Sequence, residues 1–176
     1  MKGTAGDTVS VVGLGKLGAP FVACLAAKGF RVIGVDVNQK VVDALASGRA
    51  PVYEPGLAEA IEEYGQNISA TADFRHGVSE SSLTFVIVPT PSESKGGFSI
   101  SYVLDACERV GEILRGLDRY HLVVITSTVL PGCTMGPIKD VLEERSGKPC
   151  GEDFGLCYNP EFIALGSVIR NTLNPD

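Results

Sequence analysis

The sequence predicts an α/β protein with a doubly wound, mainly parallel sheet and helices on both faces. Short apolar runs typical of strands alternate with amphipathic segments typical of helices along the whole chain, which is the pattern of βαβ units. Residues 83–88 (LTFVIV) form a continuous run of β-forming, mostly apolar residues, as expected of a strand buried on both faces of a parallel sheet. A glycine-rich turn also joins the first predicted strand to the first predicted helix.

The first half of the chain alternates short strands with helices. Apolar β-forming runs predict strands at residues 9–12 and 31–35, and apolar residues at helical spacing predict a helix over 19–28 between them. Asn38 suits the cap of a second helix, which Gly48 ends. The remaining elements of this half are a helix over residues 57–64, a strand over 67–71 and a helix over 73–79.

The second half continues the alternation. The strand at residues 83–88 runs into Pro89-Thr90-Pro91, where two prolines fix the backbone. Ser99 or Ser101 can cap a helix over residues 102–114. The later elements are a strand over residues 121–125, a helix over 135–145 and a strand over 154–158.

Composition and charge exclude several classes of protein. The chain has 176 residues, of which 44% are hydrophobic and 20% charged, as expected of one globular domain with a proper core. Its net charge of −6 argues against a general binder of nucleic acids or membrane surfaces. No apolar run reaches the roughly 18 residues of a membrane span, and the polar start is not typical of a signal peptide. We therefore expect a cytoplasmic protein with a disordered lead over residues 1–7 and one domain over 8–176.

Cysteine and histidine positions do not predict a metal centre. Five cysteines at irregular spacing include no Cys-x-x-Cys pair, and two histidines are too few for a Cys/His cluster. We expect reduced thiols, no metal, and no catalytic role for His76 or His121, since neither is recognisably paired with a nucleophile.

The turn after the first strand has the spacing of a dinucleotide site. Gly13 permits a tight turn, Gly15 lets a pyrophosphate approach the backbone, and Gly18 lets the helix pack closely on the sheet. The N-terminus of that helix favours phosphate through its free N–H groups and its dipole. The sequence thus predicts a Rossmann-type fold whose diphosphate-binding residues are Gly13, Leu14, Gly15, Lys16, Leu17 and Gly18.

Asp36 follows the second predicted strand, 18 residues after Gly18. An acid near this position accepts hydrogen bonds from the adenosine ribose of a bound dinucleotide. Because a carboxylate would repel a 2′-phosphate, the sequence predicts NAD rather than NADP as the cofactor.

Small polar residues follow the later strands, at the edge where open α/β sheets bind ligands. Pro89 and Thr90 come after one predicted strand, Ser127 and Thr128 after the next, and Glu161 after the last. We expect them to contact the nicotinamide half of the cofactor and a substrate. The alternative is local: the two threonines bond their own loops, and the glutamate caps the following turn.

The segment Tyr53-Glu54-Pro55-Gly56 has two interpretations. It is either a rigid loop that places a tyrosine and a glutamate beside the cofactor, or a connector stiffened by proline.

These motifs together resemble the NAD-binding domain of the UDP-glucose/GDP-mannose dehydrogenase family. The matching segments, in chain order, are residues 13–20 (GLGKLGAP), 35–38 (VDVN), 52–57 (VYEPGL), 88–91 (VPTP), 101–103 (SYV), 127–132 (STVLPG), 158–162 (YNPEF) and 173–176 (LNPD). The set covers nearly the whole chain and is far more specific than the glycine turn alone.

The resemblance implies a two-step oxidation of the C6 alcohol of a nucleotide sugar to a carboxylate, with two NAD reduced. It implies that Asp36 binds the adenosine ribose and that Thr90 and Thr128 line the cofactor and the reaction site. Thr128 and Glu161 would be the catalytic residues in this chain, with the glutamate positioning water or a proton near the sugar. The substrate would be a UDP-sugar: UDP-glucose, or a UDP-N-acetylhexosamine such as UDP-N-acetylmannosamine.

Three positions depart from the family pattern. Family members often carry Tyr-Val where this chain has Lys16-Leu17. A common lysine five residues after the ribose acid falls on Val41, with Lys40 beside it. The second glutamate of the segment after Asn-Pro-Glu is Leu165, which favours a UDP-N-acetylhexosamine as much as UDP-glucose.

In family members the thiol nucleophile, set in Gly-Gly-x-Cys, comes later in the chain, as do the central dimerising helix and the sugar-nucleotide domain. The resemblance therefore implies an amino-terminal domain that binds NAD but does not turn over alone, in an enzyme that forms a homo-oligomer through that helix. Three alternatives stay open: a GDP-mannose 6-dehydrogenase, a β-hydroxyacid dehydrogenase relative of the 6-phosphogluconate type, and a stand-alone NAD-sensing module.

Overall fold

The structure, a computed structural model, describes residues 8–93, 96–160 and 164–174. Its strands are β1 (Thr8–Val12), β2 (Arg31–Val35), β3 (Ile68–Thr71), β4 (Leu83–Val86), β5 (His121–Ile125) and β6 (Phe154–Tyr158). Its α-helices are α1 (Gly18–Ala27), α2 (Gln39–Ala46), α3 (Leu57–Tyr64), α4 (Phe74–Ser79), α5 (Ser101–Leu114), α6 (Lys139–Ser146) and α7 (Val168–Leu173). The predicted disordered lead, residues 1–7, lies outside the described residues.

The strands form one sheet in the order β3-β2-β1-β4-β5-β6, and every neighbouring pair is parallel. The predicted doubly wound α/β fold is confirmed. The chain first builds the sheet outward from β1 to β3, then returns to the other side of β1 and builds outward to β6. The connections after β1 and β4 therefore leave in opposite directions, which opens a crevice at the carboxyl ends of these strands. We call this side of the sheet the carboxyl edge.

Two apolar cores cover the two faces of the sheet. One core contains Val22 of α1 and Ile61 of α3, packed against β1 and β2. The other contains Val110 of α5 and Leu142 of α6, packed against β4 and β5. With both faces covered, the central strands are buried on both sides, which explains why their residues are mostly apolar. Across the described ranges, no helix has the length and apolar character needed to span a membrane.

Several helix boundaries differ from the sequence predictions. The residue at the N-cap of α5 is Ile100, which makes no side-chain cap, although Ser99 Oγ accepts a 3.4 Å hydrogen bond from the N–H of Ser101. An irregular turn over Thr134–Ile138 precedes α6, so this helix begins four residues later than predicted. Helix α7 had no sequence prediction.

Candidate functional site

The glycine turn begins with a backbone that only glycine adopts easily. Gly13 has φ of +97°, and a Cβ on this residue would lie 2.2 Å from the carbonyl oxygen of Ile87. Its N–H donates to the carbonyl of Val35 at 2.8 Å, which ties the start of the turn to the end of β2. The turn is thus wedged between the two strands that flank β1.

Gly15 and Gly18 have opposite surroundings. A Cβ on Gly18 would lie 1.8 Å from the carbonyl oxygen of Gly13, so this glycine allows α1 to start directly against the turn. A Cβ on Gly15 would meet no heavy atom within 4 Å, so its side of the turn is open. Helix α1 has Leu17 at its N-cap, no side-chain cap and no acidic residue in its first turn. These features fit a diphosphate held by backbone N–H groups at the open side of Gly15.

The carboxylate of Asp36 lies against the glycine turn. Its Oδ2 accepts a 2.7 Å hydrogen bond from the N–H of Leu14, and its Oδ1 accepts a 2.8 Å hydrogen bond from the N–H of Asn38. Asn38 in turn caps α2 by accepting from the N–H of Lys40, as predicted. Two backbone donors therefore fix the carboxylate, and each oxygen keeps a lone pair for a ribose hydroxyl.

The side chains of the turn divide between core and solvent. Leu14 is fully buried against β2, where Gly34 leaves room: a Cβ there would lie 2.9 Å from Cδ2 of Leu14. Leu17 is half-buried against the same core, whereas Lys16 is exposed. Any contact that the two leucines make with a cofactor would therefore come from their backbone. Val41, at the family lysine position, is half-buried against the same core.

Ser127 links the ends of β4 and β5. Its Oγ donates to the carbonyl of Val88 at 2.8 Å and accepts from the N–H of the same residue at 2.9 Å. The side chain is 5% exposed. Ser127 thereby fixes the residue before Pro89, so its hydroxyl is engaged by the protein and positions the Pro89-Thr90 segment.

Thr90 and Thr128 lie at the same edge of the sheet. Thr90 is half-buried and Thr128 is exposed. Among the described residues neither hydroxyl has a hydrogen-bond partner. Glu161, the predicted sugar-side acid, lies outside the described residues. The structure thus brings the glycine turn, Asp36, Thr90 and Thr128 to one edge of the sheet.

Glu54 has a role that local sequence did not reveal. Its carboxylate is 6% exposed and accepts hydrogen bonds from the N–H groups of Gly166 at 2.9 Å and Val168 at 2.8 Å. It therefore caps α7, which packs on α1. Tyr53 beside it is 91% exposed. The proline-rich segment acts as a connector whose glutamate anchors a distant helix, and no local signal could identify partners 112 and 114 residues away.

The fold and the turn together define a dinucleotide-binding domain of the Rossmann type. The strand order, the crowding at Gly13 and Gly18, the open side of Gly15 and the fixed carboxylate of Asp36 are its structural features.

The chain belongs to the UDP-glucose/GDP-mannose dehydrogenase family, because the model of that family's NAD binding domain matches residues 7–176. A GDP-mannose 6-dehydrogenase from Pseudomonas aeruginosa is 38% identical over 165 residues, which cover 93% of this chain and 38% of that protein. The UDP-glucose 6-dehydrogenase AglM of Haloferax volcanii is 38% identical over 169 residues, 96% of this chain and 39% of that protein. The chain thus spans about two-fifths of the length of these relatives.

Solved structures agree with this assignment. A ternary complex of GDP-mannose dehydrogenase from Pseudomonas aeruginosa matches with a TM-score of 0.90 and 38% identity, over 93% of this chain and 38% of that one. A UDP-glucose dehydrogenase from Pyrobaculum islandicum matches with a TM-score of 0.91 and 36% identity, over 100% of this chain and 40% of that one. The family is one of NAD-dependent nucleotide-sugar dehydrogenases, and the predicted cofactor, NAD, is confirmed.

Proposed function

We propose that this chain is the NAD-binding part of a nucleotide-sugar 6-dehydrogenase that oxidises the C6 alcohol of a UDP-sugar to a carboxylate. The observation that carries the proposal is the fixed carboxylate of Asp36 beside the open side of Gly15. Two threonine hydroxyls that have no partner among the described residues lie on the same edge. NAD, when bound, accepts a hydride in each of the two oxidation steps.

Each residue of the edge has a proposed task. The backbone from Gly13 to Gly18 holds the diphosphate, and Asp36 accepts hydrogen bonds from the adenosine ribose. Thr90 and Thr128 offer hydroxyls to the nicotinamide ribose and the substrate, while Ser127 and Pro89 keep the strand ends in position. Glu161 retains the role that the family resemblance implies, positioning water or a proton near the sugar.

GDP-mannose is the specific alternative to a UDP-sugar as the substrate. The GDP-mannose 6-dehydrogenase from Pseudomonas aeruginosa and the UDP-glucose 6-dehydrogenase AglM are equally similar to this chain, at 38% identity each. Leu165, which replaces a family glutamate, is 61% exposed and favours a UDP-N-acetylhexosamine as much as UDP-glucose. Oxidation assays of the longer enzyme with UDP-glucose, UDP-N-acetylmannosamine and GDP-mannose would separate these substrates: a preference for GDP-mannose would overturn the UDP-sugar proposal.

Titration calorimetry with Asp36→Ala tests the cofactor site. We expect the chain to bind NAD, and the substitution to weaken binding by about 1–3 kcal/mol because the ribose hydroxyls lose their acceptor. Asp43→Ala is the matched control, since Asp43 is an exposed acid of α2 that bonds Gln39. Equal affinities for NAD in the wild type and Asp36→Ala would exclude the ribose assignment.

We further propose that this chain alone binds NAD without turnover. None of its cysteines has the Gly-Gly-x-Cys setting. Cys24 and Cys107 are buried, and burial raises the pKa of the Cys107 thiol to about 12. A mixture of the chain, NAD and each sugar nucleotide should therefore give no NADH absorbance. Steady production of NADH would contradict the proposal.

A further inference from the structure

The glycine turn carries one cation, Lys16, that has no partner among the described residues. Lys16 is exposed, and across the described residues its ammonium forms no ion pair and no hydrogen bond. Family members often have tyrosine here, so the positive charge is a feature of this chain rather than of the family pattern.

The other cations of the β1–α1–β2 unit lie at the opposite edge of the sheet. Lys28 is at the C-cap of α1, which is about 15 Å long at 1.5 Å per residue. Arg31 is the first residue of β2, at the amino end of the strand. Within this unit Lys16 is therefore the only side-chain cation at the carboxyl edge.

A positive charge at the turn would strengthen its hold on a diphosphate beyond what the backbone N–H groups supply. The Asp36 carboxylate lies 2.7 Å from the N–H of Leu14, so it adds negative charge beside the turn and occupies one of its backbone donors. The chain as a whole carries a net charge of −6. The α1 dipole supplies only about half an elementary charge, while a diphosphate carries about two negative charges.

We propose that the Lys16 ammonium binds the diphosphate of the dinucleotide and offsets the charge of Asp36, so that part of the ionic-strength dependence of NAD affinity comes from this side chain. The inference rests on the NAD site proposed above. The backbone of the turn gives the diphosphate its position, and Lys16 gives it a counter-charge. This role requires only charge, because an ammonium acts on phosphate as a point charge.

Titration calorimetry of NAD with Lys16→Gln and Lys28→Gln tests the proposal. Both variants lower the net charge by one, so a difference between them reports position rather than total charge. At about 25 mM NaCl we expect Lys16→Gln to weaken NAD binding roughly three- to tenfold and Lys28→Gln to match the wild type. At about 500 mM NaCl the Lys16→Gln and wild-type affinities should converge, because salt screens the lost interaction. Lys16→Arg should retain the wild-type affinity and its salt dependence.

Three results would overturn the inference: equal NAD affinities for wild type and Lys16→Gln at low salt, a loss that is the same at both salt concentrations, or an equal loss in Lys28→Gln. Thermal unfolding without ligand should give the same midpoint for Lys16→Gln and the wild type, since Lys16 is exposed and makes no hydrogen bond among the described residues. If the wild type binds NAD and Lys16→Gln is unchanged, only this inference fails. If the wild type does not bind NAD, the proposed function fails with it.

Discussion

Four buried polar side chains form a hydrogen-bonded row across the sheet. Ser81 Oγ donates to Ser10 Oγ at 2.9 Å, and Ser10 Oγ lies 2.7 Å from Thr84 Oγ1. Thr84 Oγ1 lies 2.8 Å from Nε2 of His121. Each of the four is at most 1% exposed. Burial, with a smaller contribution from the charge of Arg119, lowers the pKa of His121 to about 4, so the imidazole is neutral at pH 7.

Acid should destabilise the protein through His121. Its pKa is 6.5 as a free side chain and about 4 in the fold, so between these values the unfolded chain binds more protons. The free energy of unfolding should therefore fall as the pH is lowered from 6.5 towards 4, and this contribution should level off below that. The full effect is on the order of 3 kcal/mol. Urea unfolding at several pH values in this window measures it.

His121→Gln is the control for this titration. Glutamine can still meet the Thr84 hydroxyl but binds no proton, whereas the carboxylates that titrate in the same window are common to both proteins. We expect the variant to lose stability less steeply with falling pH. Parallel pH profiles for the two proteins would show that His121 does not titrate as inferred.

The predicted and observed bounds of the secondary-structure elements agree where local sequence signals define the element. The strands Arg31–Val35, His121–Ile125 and Phe154–Tyr158 and the helix Leu57–Tyr64 match the predictions residue for residue, because apolar runs and breakers define them. The strand predicted over residues 83–88 instead ends at Val86. Beyond that point the N–H of Val88 donates to the hydroxyl of Ser127, two residues after β5, a contact that local sequence could not reveal.

The features of the candidate site also separate into those that local sequence predicts and those that depend on distant contacts. The glycine turn and Asp36 could be predicted because their spacing along the chain encodes their contact. Helix α7 and its contact with Glu54 could not, because the stabilising hydrogen bonds join residues more than a hundred positions apart. Helix α6 begins late because Gly136 has a non-helical backbone (φ −109°, ψ −114°) directly before Pro137.

The crossing of α5 and α6 depends on one glycine. A Cβ on Gly111 would lie 2.7 Å from Cβ of Arg145 and 3.3 Å from the carbonyl oxygen of Leu142. Gly111→Ala should therefore push the helices apart and lower the free energy of unfolding by about 1–3 kcal/mol, despite the better helix propensity of alanine. Chemical denaturation measures the change.

Gly65→Ala is the matched control for this crossing. Gly65 has φ of −57°, and a Cβ there would meet no heavy atom within 4 Å. The control should be neutral or slightly stabilising, because alanine reduces the entropy of the unfolded chain. If Gly111→Ala were also neutral, a Cβ at position 111 would not force α5 and α6 apart, and the prediction would be wrong.

For the whole molecule, Glu54 joins the first half of the doubly wound sheet to the segment that follows its last strand. The loop before α3 carries the glutamate, and α7 returns after β6 to pack on α1. At the far end of α7, Lys28 Nζ donates to the carbonyl of Leu173 at 3.4 Å. Helix α7 has only six residues, which is too short to be stable alone, so its order depends on these tertiary contacts.

Glu54→Ala should release α7 from the domain. Two N–H groups, of Gly166 and Val168, would lose a charged acceptor, and an unpaired buried donor costs about 1–3 kcal/mol. We expect hydrogen exchange of the α7 amides to rise roughly ten- to hundredfold, with the exchange of β1 and β4 much less affected. Glu62→Ala, which removes an exposed acid of α3, is the control and should leave α7 protected.

Glu54→Gln tests the hydrogen bonds of Glu54 separately from its negative charge. An amide has a single acceptor oxygen, so one of the two N–H groups would keep a partner and the other would face the NH₂ group. Because each hydrogen bond contributes separately, exchange in α7 should rank wild type slowest, glutamine intermediate and alanine fastest. Equal exchange rates in all three proteins would show that the Glu54 carboxylate does not anchor α7. The helix would then be held by the buried side chain of Val168 and the rest of its apolar face.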